Sequence, residues 1–170
     1  MAGHIIKSHN KSLLLYHIVC PEKYRKKIFT EEVEKTLAQI CKEIQVCYEI
    51  NFIEIGADVD HVHFLVQSTP MRSPTTIVRI IKSITARLLF QKHPDLKTIL
   101  LGSKLWTDGY YINTVSRYGG EKQIQLYIKN QGMNYKTDYK KISVSSSVDL
   151  FAGSGGWKGY LAVLLRGGCH

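Results

Sequence analysis

The hydrophobic and polar positions of this chain change their spacing along the sequence, and this change predicts where strands give way to helices. Ser12 to Cys20 is a short apolar run followed by Pro21, which is typical of a buried strand. Apolar residues then recur at helical spacing between Val33 and Ile44, after Thr30, a residue suited to an N-cap. The pattern therefore predicts a strand followed by an amphipathic helix.

The pattern of the next segment predicts two strands followed by a second helix. Tyr48 to Ile55 and His61 to Gln67 are predicted strands, joined by a turn rich in Gly and Asp. In the strand from Tyr48 to Ile55, the alternation of apolar and polar positions shifts by one residue at Phe52-Ile53, which predicts a bulge. Ser73-Pro74 supplies an N-cap and a first-turn proline for a helix that ends before Pro94.

A fourth strand and a third helix complete the pattern. Tyr110 to Arg117 is a predicted strand, Gly119-Gly120 breaks it, and Glu121 to Gln131 forms a helix closed by Gly132. The order β-α-β-β-α-β-α predicts an α+β fold whose first six elements match the ferredoxin-like split βαβ arrangement. That fold has a four-stranded antiparallel sheet with two helices on one face. We expect the third helix to cover the other face.

Length and composition limit the number of domains to one. The 170 residues, with 44% hydrophobic and 22% charged residues, fit a single globular domain. The composition shifts to Ser and Gly after Lys141. This shift predicts a folded domain over residues 1–141 and a flexible tail over residues 142–170. The tail is interpreted either as an extension without structure or as a segment that docks on a partner.

The charge of the chain indicates a polyanionic partner. Its 23 Lys and Arg outnumber 14 Asp and Glu, for a net charge of +9, which favours nucleic acid first and an anionic membrane second. Lys11, Arg79 and Lys82 are candidate phosphate contacts, although such charges also occur on solvated faces. No apolar run is long enough to span a bilayer or to form a signal peptide. The four cysteines lack metal-site spacing, so we expect reduced thiols and a cytoplasmic location.

His61 and His63 form the sharpest candidate site. Residues two apart in a strand point to the same face, so both imidazoles share a face while Val62, Phe64 and Val66 form an apolar set on the other. Placed together, two imidazoles are able to bind one divalent cation. A His-x-His pair also arises by chance in a sequence with seven histidines, so the motif alone leaves metal binding as one of two interpretations.

The last helix carries the second candidate set. Tyr127 and Gln131 lie one turn apart on the helix face that also carries Ile124 and Ile128. Taken alone, this stripe is typical of core packing, with Tyr127 as a packing aromatic. If the helix covers the histidine face, however, a phenol and a carboxamide come near both imidazoles. A His-His-Gln set with open positions suits Mg²⁺ or Mn²⁺ better than a structural zinc ion.

Two motifs make the sequence resemble a known family. The segment Asp60-His61-Val62-His63-Phe64-Leu65 resembles the His-hydrophobic-His motif of the HUH endonucleases. Tyr127-Ile-Lys-Asn-Gln131 resembles the single-tyrosine motif of the TnpA-type insertion-sequence transposases, and Trp106-Thr-Asp-Gly-Tyr-Tyr111 agrees with it. The resemblance extends over residues 10 to 140. It implies that His61, His63 and Gln131 bind the metal and that Tyr127 is the nucleophile.

The resemblance also implies an activity and an assembly. Members of this family cut and rejoin single-stranded DNA with terminal hairpins through a 5′-phosphotyrosine intermediate. They work as homodimers whose tyrosine helix serves the partner's histidines. Asp60 has two interpretations: its carboxylate orients an imidazole, or it is a turn residue. The alternatives for the whole chain are a replication-initiator or relaxase-like nicking enzyme of the same chemistry, and a non-catalytic module that binds single-stranded nucleic acid.

Overall fold

A computed structural model of the chain describes residues 2–58, 60–101, 104–116 and 120–130. Its elements are, in chain order, β1 (Ile5–Lys7), β2 (Asn10–Ser12), β3 (Leu14–Pro21), α1 (Glu31–Tyr48), β4 (Asn51–Ala57), β5 (His61–Ser68), α2 (Pro74–Lys92), α3 (Asp95–Ile99), β6 (Tyr111–Thr114) and α4 (Gly120–Asn130). The predicted helix end at Gln131 and Gly132, the domain boundary at residue 141 and the tail over 142–170 lie outside the described residues.

The main sheet has the predicted topology. Its strand order is β4-β5-β3-β6, and every neighbouring pair is antiparallel. This is the ferredoxin-like arrangement of four strands, so the α+β prediction is confirmed. The hairpin of β1 and β2 and the short helix α3 were not predicted. The hairpin strands have three residues each and are mostly exposed, so they carry no hydrophobic period.

Several predicted boundaries were wrong. Tyr48 ends α1 instead of starting a strand, and Glu49 follows it with a left-handed φ of 51° before β4 begins at Asn51. The last strand comprises four residues, Tyr111 to Thr114, which pair with β3, and beyond it the Val115 amide donates a hydrogen bond to the carbonyl oxygen of Leu15. The bulge is confirmed as a shift of register between Phe52 and Glu54.

One face of the sheet packs against α1 and α2. The side chains of Val62, Phe64 and Val66 point into this core, as the parity of β5 predicted. Both helices start at the predicted caps, where Thr30 accepts a hydrogen bond from the Val33 amide and Ser73 accepts one from the Thr76 amide. This layer holds most of the buried apolar side chains among the described residues.

The opposite face is covered by α4, as expected. The helix lies across β4 and β5, and Ile128 joins a small apolar cluster with Leu15, Leu65 and Val115. Gly56 permits this approach, because a Cβ there would lie 2.7 Å from Cγ2 of Ile128. The tyrosine helix is thus brought onto the face that carries the histidines. None of the helices in the described part is both long and apolar enough to cross a membrane.

Candidate active site

The register of the sheet brings three histidines onto the face that α4 covers. His61 and His63 are two apart on β5, and His17 of the neighbouring β3 pairs with Leu65. Because directly paired residues share a face, His17 lies on the same face as His63, one row along the strands. The ring centroids of His61 and His63 are 4.7 Å apart, and those of His17 and His63 are 5.3 Å apart. The predicted common face of His61 and His63 is confirmed by this geometry.

His61 lies at the edge of the site between two carboxylates. Its side chain is 27% exposed, and its Nδ1 is 2.7 Å from Oδ1 of Asp60. Since an ionised carboxylate only accepts hydrogen bonds, this contact keeps the Nδ1 hydrogen and leaves the lone pair of a neutral ring on Nε2. That Nε2 is 3.7 Å from Oδ2 of Asp58, a residue that the sequence assigned only to the turn. Asp60 therefore occupies the position that its imidazole-orienting interpretation requires.

His63 is buried more deeply than His61. Only 3% of it is exposed, and its Nε2 has no hydrogen-bond partner among the described residues. The pKa of His63 is lowered to about 3, mainly by burial and also by the neighbouring His61 and His17, against the opposing effect of Asp58. The ring is therefore neutral near pH 7, and one of its nitrogens holds a lone pair.

His17 has no histidine partner at metal-ligand spacing in the sequence, and the structure adds it to the site. Its Nε2 lies 3.0 Å from Nδ1 of His63, and burial lowers its pKa. The spacing along one strand could not reveal this contact, because the two residues are 46 positions apart. The alternation of side chains along β3, however, could have indicated which face His17 occupies. Tyr16, Ile18 and Cys20 form its core set, so His17 had to point to the opposite face.

Tyr127 stands over this group of imidazoles. Its ring centroid is 5.7 Å from that of His63 and 6.2 Å from that of His17, both in an edge-on arrangement. The side chain is 54% exposed, so it is accessible to a substrate. Tyr127 is therefore more exposed than a core side chain, although its ring packs against two imidazoles.

The site fits a divalent cation, although the predicted third ligand lies outside the described residues. Gln131 follows the last described residue of α4. Within the described ranges, no group of three His, Cys, Asp or Glu side chains converges as a ready metal cage. The unpartnered Nε2 of buried His63 and the nearby Nε2 of His61 still form a donor pair that a cation would satisfy.

The three candidate phosphate contacts lie in different settings. Lys11 on β2 and Arg79 on α2 are exposed. The ammonium of Lys82 instead donates to the carbonyl oxygens of Thr107, Asp108 and Gly109 at 2.5, 3.2 and 3.1 Å. This contact ties α2 to the loop before β6, a structural role that the sequence did not reveal.

Cys20 and Cys41, two of the three cysteines in the described part of the chain, are poor alternative nucleophiles. Cys20 and Cys41 are buried in the core beneath the sheet. Burial raises the pKa of the Cys20 thiol to about 12 and the pKa of Cys41 well above its usual value. Both thiols therefore stay protonated and out of reach of a substrate.

Comparison with known proteins agrees with this geometry. The family model described as "Transposase IS200 like" matches residues 10–131. The chain is 36% identical over 118 residues to the ISDra2 transposase TnpA of Deinococcus radiodurans. The aligned region covers 69% of this chain and 84% of that protein. It is 28% identical over 124 residues to the transposase for insertion sequence element IS200 of Salmonella typhimurium. This aligned region covers 73% of this chain and 80% of that protein.

Solved structures show the same fold. A crystal structure described as a transposase from Deinococcus radiodurans superposes with a TM-score of 0.61 at 31% identity, over 75% of this chain and 97% of that one. A REP-associated tyrosine transposase bound to a REP hairpin superposes with a TM-score of 0.54 over 79% of this chain and 75% of that one. At 10% identity, this second likeness concerns the fold alone.

Proposed function

This chain belongs to the family of IS200-like transposases, and from that premise we propose that it cuts and rejoins single-stranded DNA at the ends of an insertion sequence. The observation that carries this proposal is the exposed Tyr127, whose ring centroid lies 5.7 Å from that of a buried, neutral His63. A hydroxyl group that a substrate can reach stands beside a pair of imidazoles suited to a cation. Nucleophile and metal ligands are what a phosphodiester transfer requires.

Tyr127 acts as the nucleophile in this proposal. Its phenolic oxygen forms a bond to the phosphorus of the scissile phosphodiester, and the bond from phosphorus to the 3′ oxygen breaks. The phenol loses its proton and the departing 3′ oxygen gains one, which leaves a 5′-phosphotyrosine and a free 3′-hydroxyl. Because the bond energy is kept in the phosphotyrosine, a 3′-hydroxyl can later attack it and release the tyrosine. Rejoining therefore needs no external energy source.

His61, His63 and Gln131 would hold a Mg²⁺ or Mn²⁺ ion. When bound, such an ion supplies positive charge to a non-bridging phosphate oxygen. The chain's own contribution is orientation: Asp60 fixes the His61 ring through its 2.7 Å contact, and the sheet holds His63 in a buried position. Chelation with EDTA should abolish cleavage and leave the fold intact, as measured by cleavage assay and circular dichroism.

Single-stranded DNA with terminal hairpins is the proposed substrate. The net charge of +9 supports a polyanion, and the exposed Lys11 and Arg79 are available to contact phosphates. A structural relative binds a REP hairpin, which supports a folded DNA end as the recognised feature. Each phosphate contact should weaken binding when removed and reduce its dependence on salt.

The active protein is proposed to be a homodimer. Cutting both ends of an insertion sequence forms two phosphotyrosines, and each chain offers Tyr127 as its candidate nucleophile. Within the single chain, α4 lies over its own histidines, which describes a cis arrangement. The family resemblance favours a trans arrangement, in which Tyr127 serves the partner's histidines. Both arrangements use the same residues, so the pairing is a question for experiment.

The nucleophile is tested by covalent capture. Purified protein is mixed with a labelled single-stranded hairpin end and Mg²⁺, and a denaturing gel should show a protein–DNA adduct. A fully double-stranded oligonucleotide of the same sequence should give none. Binding without an adduct would favour the non-catalytic module. Adduct formation and nicking without strand joining would favour the nicking enzyme.

The trans arrangement is tested by complementation. Tyr127→Phe chains are mixed with His61→Ala/His63→Ala chains after subunit exchange has been shown by a tag-transfer experiment. One working site per mixed dimer should restore cleavage, although each parent is inactive. If exchange occurs and the mixture stays inactive, cleavage takes place in cis.

A further inference from the structure

His17 occupies the centre of the sheet beside a proposed metal ligand. It is 7% exposed, and its Nε2 lies 3.0 Å from Nδ1 of His63. The two rings are stacked, with centroids 5.3 Å apart and an interplanar angle of 11°. Because both residues are buried in the middle of strands, neither ring is free to turn away from the other. The contact is therefore a fixed feature of the sheet face.

A hydrogen bond between two neutral imidazoles uses one N–H and one lone pair. If His63 donates from Nδ1, its Nε2 keeps a lone pair. If His17 donates from Nε2, the hydrogen of His63 must lie on Nε2 instead, and that nitrogen is unable to bind a cation. The Nε2 of His63 has no partner in the described part of the chain, so it provides no competing bond that would hold a hydrogen there. The direction of this one hydrogen bond thus decides whether His63 is a ligand.

We propose that His17 is a positioning residue that accepts the Nδ1–H of His63 through its own Nε2. It fixes the orientation of the His63 ring and keeps the Nε2 lone pair available for a divalent cation. This inference rests on the metal site described under the proposed function. Ligating histidines usually donate their other N–H to an acceptor in this way. Asp60 plays the same part for His61, at 2.7 Å.

The burial of this position explains why the acceptor is an imidazole. A carboxylate at residue 17 would place a negative charge in a setting that is more than nine-tenths buried, where an unpaired ion is costly. A neutral imidazole accepts a hydrogen bond without that cost. Asp60 lies at the more open edge of the site, where a carboxylate stays partly solvated. The two ligands are therefore oriented by different groups, each suited to its depth.

Two variants separate the acceptor from the ring. His17→Phe keeps an aromatic ring for stacking but removes the nitrogen, whereas His17→Gln keeps an acceptor oxygen on a side chain of similar reach. His93→Gln is the matched control, because His93 also makes one side-chain hydrogen bond, to Thr36, on the helical side of the molecule. Circular dichroism and melting curves first establish that all three are folded.

The first measurement is the tautomer of His63 in the metal-free protein, from the ¹⁵N shifts of the imidazole nitrogens. We expect a protonated Nδ1 and an unprotonated Nε2 in the wild type, in His17→Gln and in His93→Gln. In His17→Phe the hydrogen should move to Nε2, because its acceptor is gone. A wild-type His63 that carries its hydrogen on Nε2, or a tautomer that His17→Phe leaves unchanged, would overturn the proposal.

The second measurement is the affinity for Mn²⁺, followed by electron paramagnetic resonance of the free ion without DNA. His17→Phe should weaken binding by about 10- to 100-fold, as other orienting groups of metal ligands do when removed. His17→Gln and His93→Gln should bind like the wild type. Equal affinity in His17→Phe would overturn the proposal, and so would an equal loss in His17→Phe and His17→Gln. If the wild type binds no Mn²⁺, the proposed metal site fails, and the tautomer measurement alone decides the role of His17.

Discussion

The two faces of the main sheet differ in what they bury. The face under α1 and α2 packs a continuous apolar core, whose centre includes Ile18, Phe64 and Val66. The face under α4 has a small apolar cluster around Leu65 and Ile128, and beside it the row of buried imidazoles. The strands β3 and β5 contribute to both faces, so a shift of one residue along either strand changes a side chain's role.

This difference separates stability from chemistry within the same strands. Burial of apolar side chains on the first face is the main source of folding free energy. On the second face the sheet buries His63, whose Nε2 has no hydrogen-bond partner among the described residues. Such burial costs folding free energy and is typical of functional positions. We therefore expect substitutions on the two faces to affect different measurements.

The largest effect is expected from Tyr127→Phe on the second face. Removal of one hydroxyl should lower cleavage by at least about a thousandfold, or ~4 kcal/mol of barrier, because the nucleophilic atom is lost. DNA binding and the melting temperature should not change. Tyr24→Phe is the control, as Tyr24 is also exposed but is not part of this face. Cleavage within tenfold of the wild-type rate would show that another group attacks the phosphate.

Adjacent residues of β5 test the comparison directly. Phe64→Ala on the first face should lower the free energy of unfolding by about 3–5 kcal/mol. His63→Ala on the second face should cost about 1–3 kcal/mol, because His17 loses its buried partner, and should abolish cleavage. His61→Ala should cost less, since its side chain is partly exposed. Urea unfolding and cleavage assays check all three. A larger stability loss in His63→Ala than in Phe64→Ala would make His63 a structural residue.

The position of α4 over the second face is tested at Gly56. A new Cβ would meet Cγ2 of Ile128 at 2.7 Å and its carbonyl oxygen at 3.0 Å, so Gly56→Val should displace the helix. A misplacement of about 1 Å is expected to lower cleavage by about 100-fold. The first face should be unaffected, as judged by hydrogen exchange in α1 and α2. Gly109→Ala has open space around it and serves as the control. Full activity in Gly56→Val would show that Tyr127 acts elsewhere, as in a trans site.

The most gradual effect is expected from pH, because it is spread over several pH units. Burial holds the pKa of His63 at about 3 in the folded protein, against 6.5 ordinarily, and it also lowers the pKa of His17. The unfolded chain therefore binds more protons below pH 6.5, so stability is full above that pH and is lost as the pH falls toward 3. His63 should contribute a slope of up to about 1.4 kcal/mol per pH unit in metal-free protein.

Urea unfolding in EDTA at several pH values measures this slope. His63→Gln should reduce it, whereas His9→Gln, at an exposed turn, should not. An unchanged slope in His63→Gln would mean that His63 is protonated in the folded state as readily as in the unfolded one.

Much of this architecture could be predicted from local patterns. The helices capped by Thr30 and Ser73 were predicted from these caps and from their apolar stripes, because caps and helical periods depend on neighbouring residues. The common face of His61 and His63 followed from the period of two along a strand. The hairpin of β1 and β2 was missed because its pairing depends on a turn and on backbone bonds, with little apolar pattern.

In the candidate site, some contacts could not be predicted from local sequence patterns. His17 was missed because its contact with His63 depends on the register between β3 and β5, which joins residues 46 positions apart. Lys82 stays a candidate phosphate contact, but its position in the sequence could not show that its ammonium also donates to three carbonyl oxygens of the loop before β6. Both contacts join different elements of the fold.

The sequence was sufficient to assign residue types to each face of each strand and helix, because side-chain direction follows from backbone period alone. It was therefore sufficient to show that His61 and His63 share a face and that Tyr127 lies on a helix beyond the last strand. The three-dimensional structure was needed to show that α4 lies on that face, that His63 is buried and neutral, and that His17 contacts its ring. These properties depend on strand register and on the close approach at Gly56, which involve residues far apart in the chain.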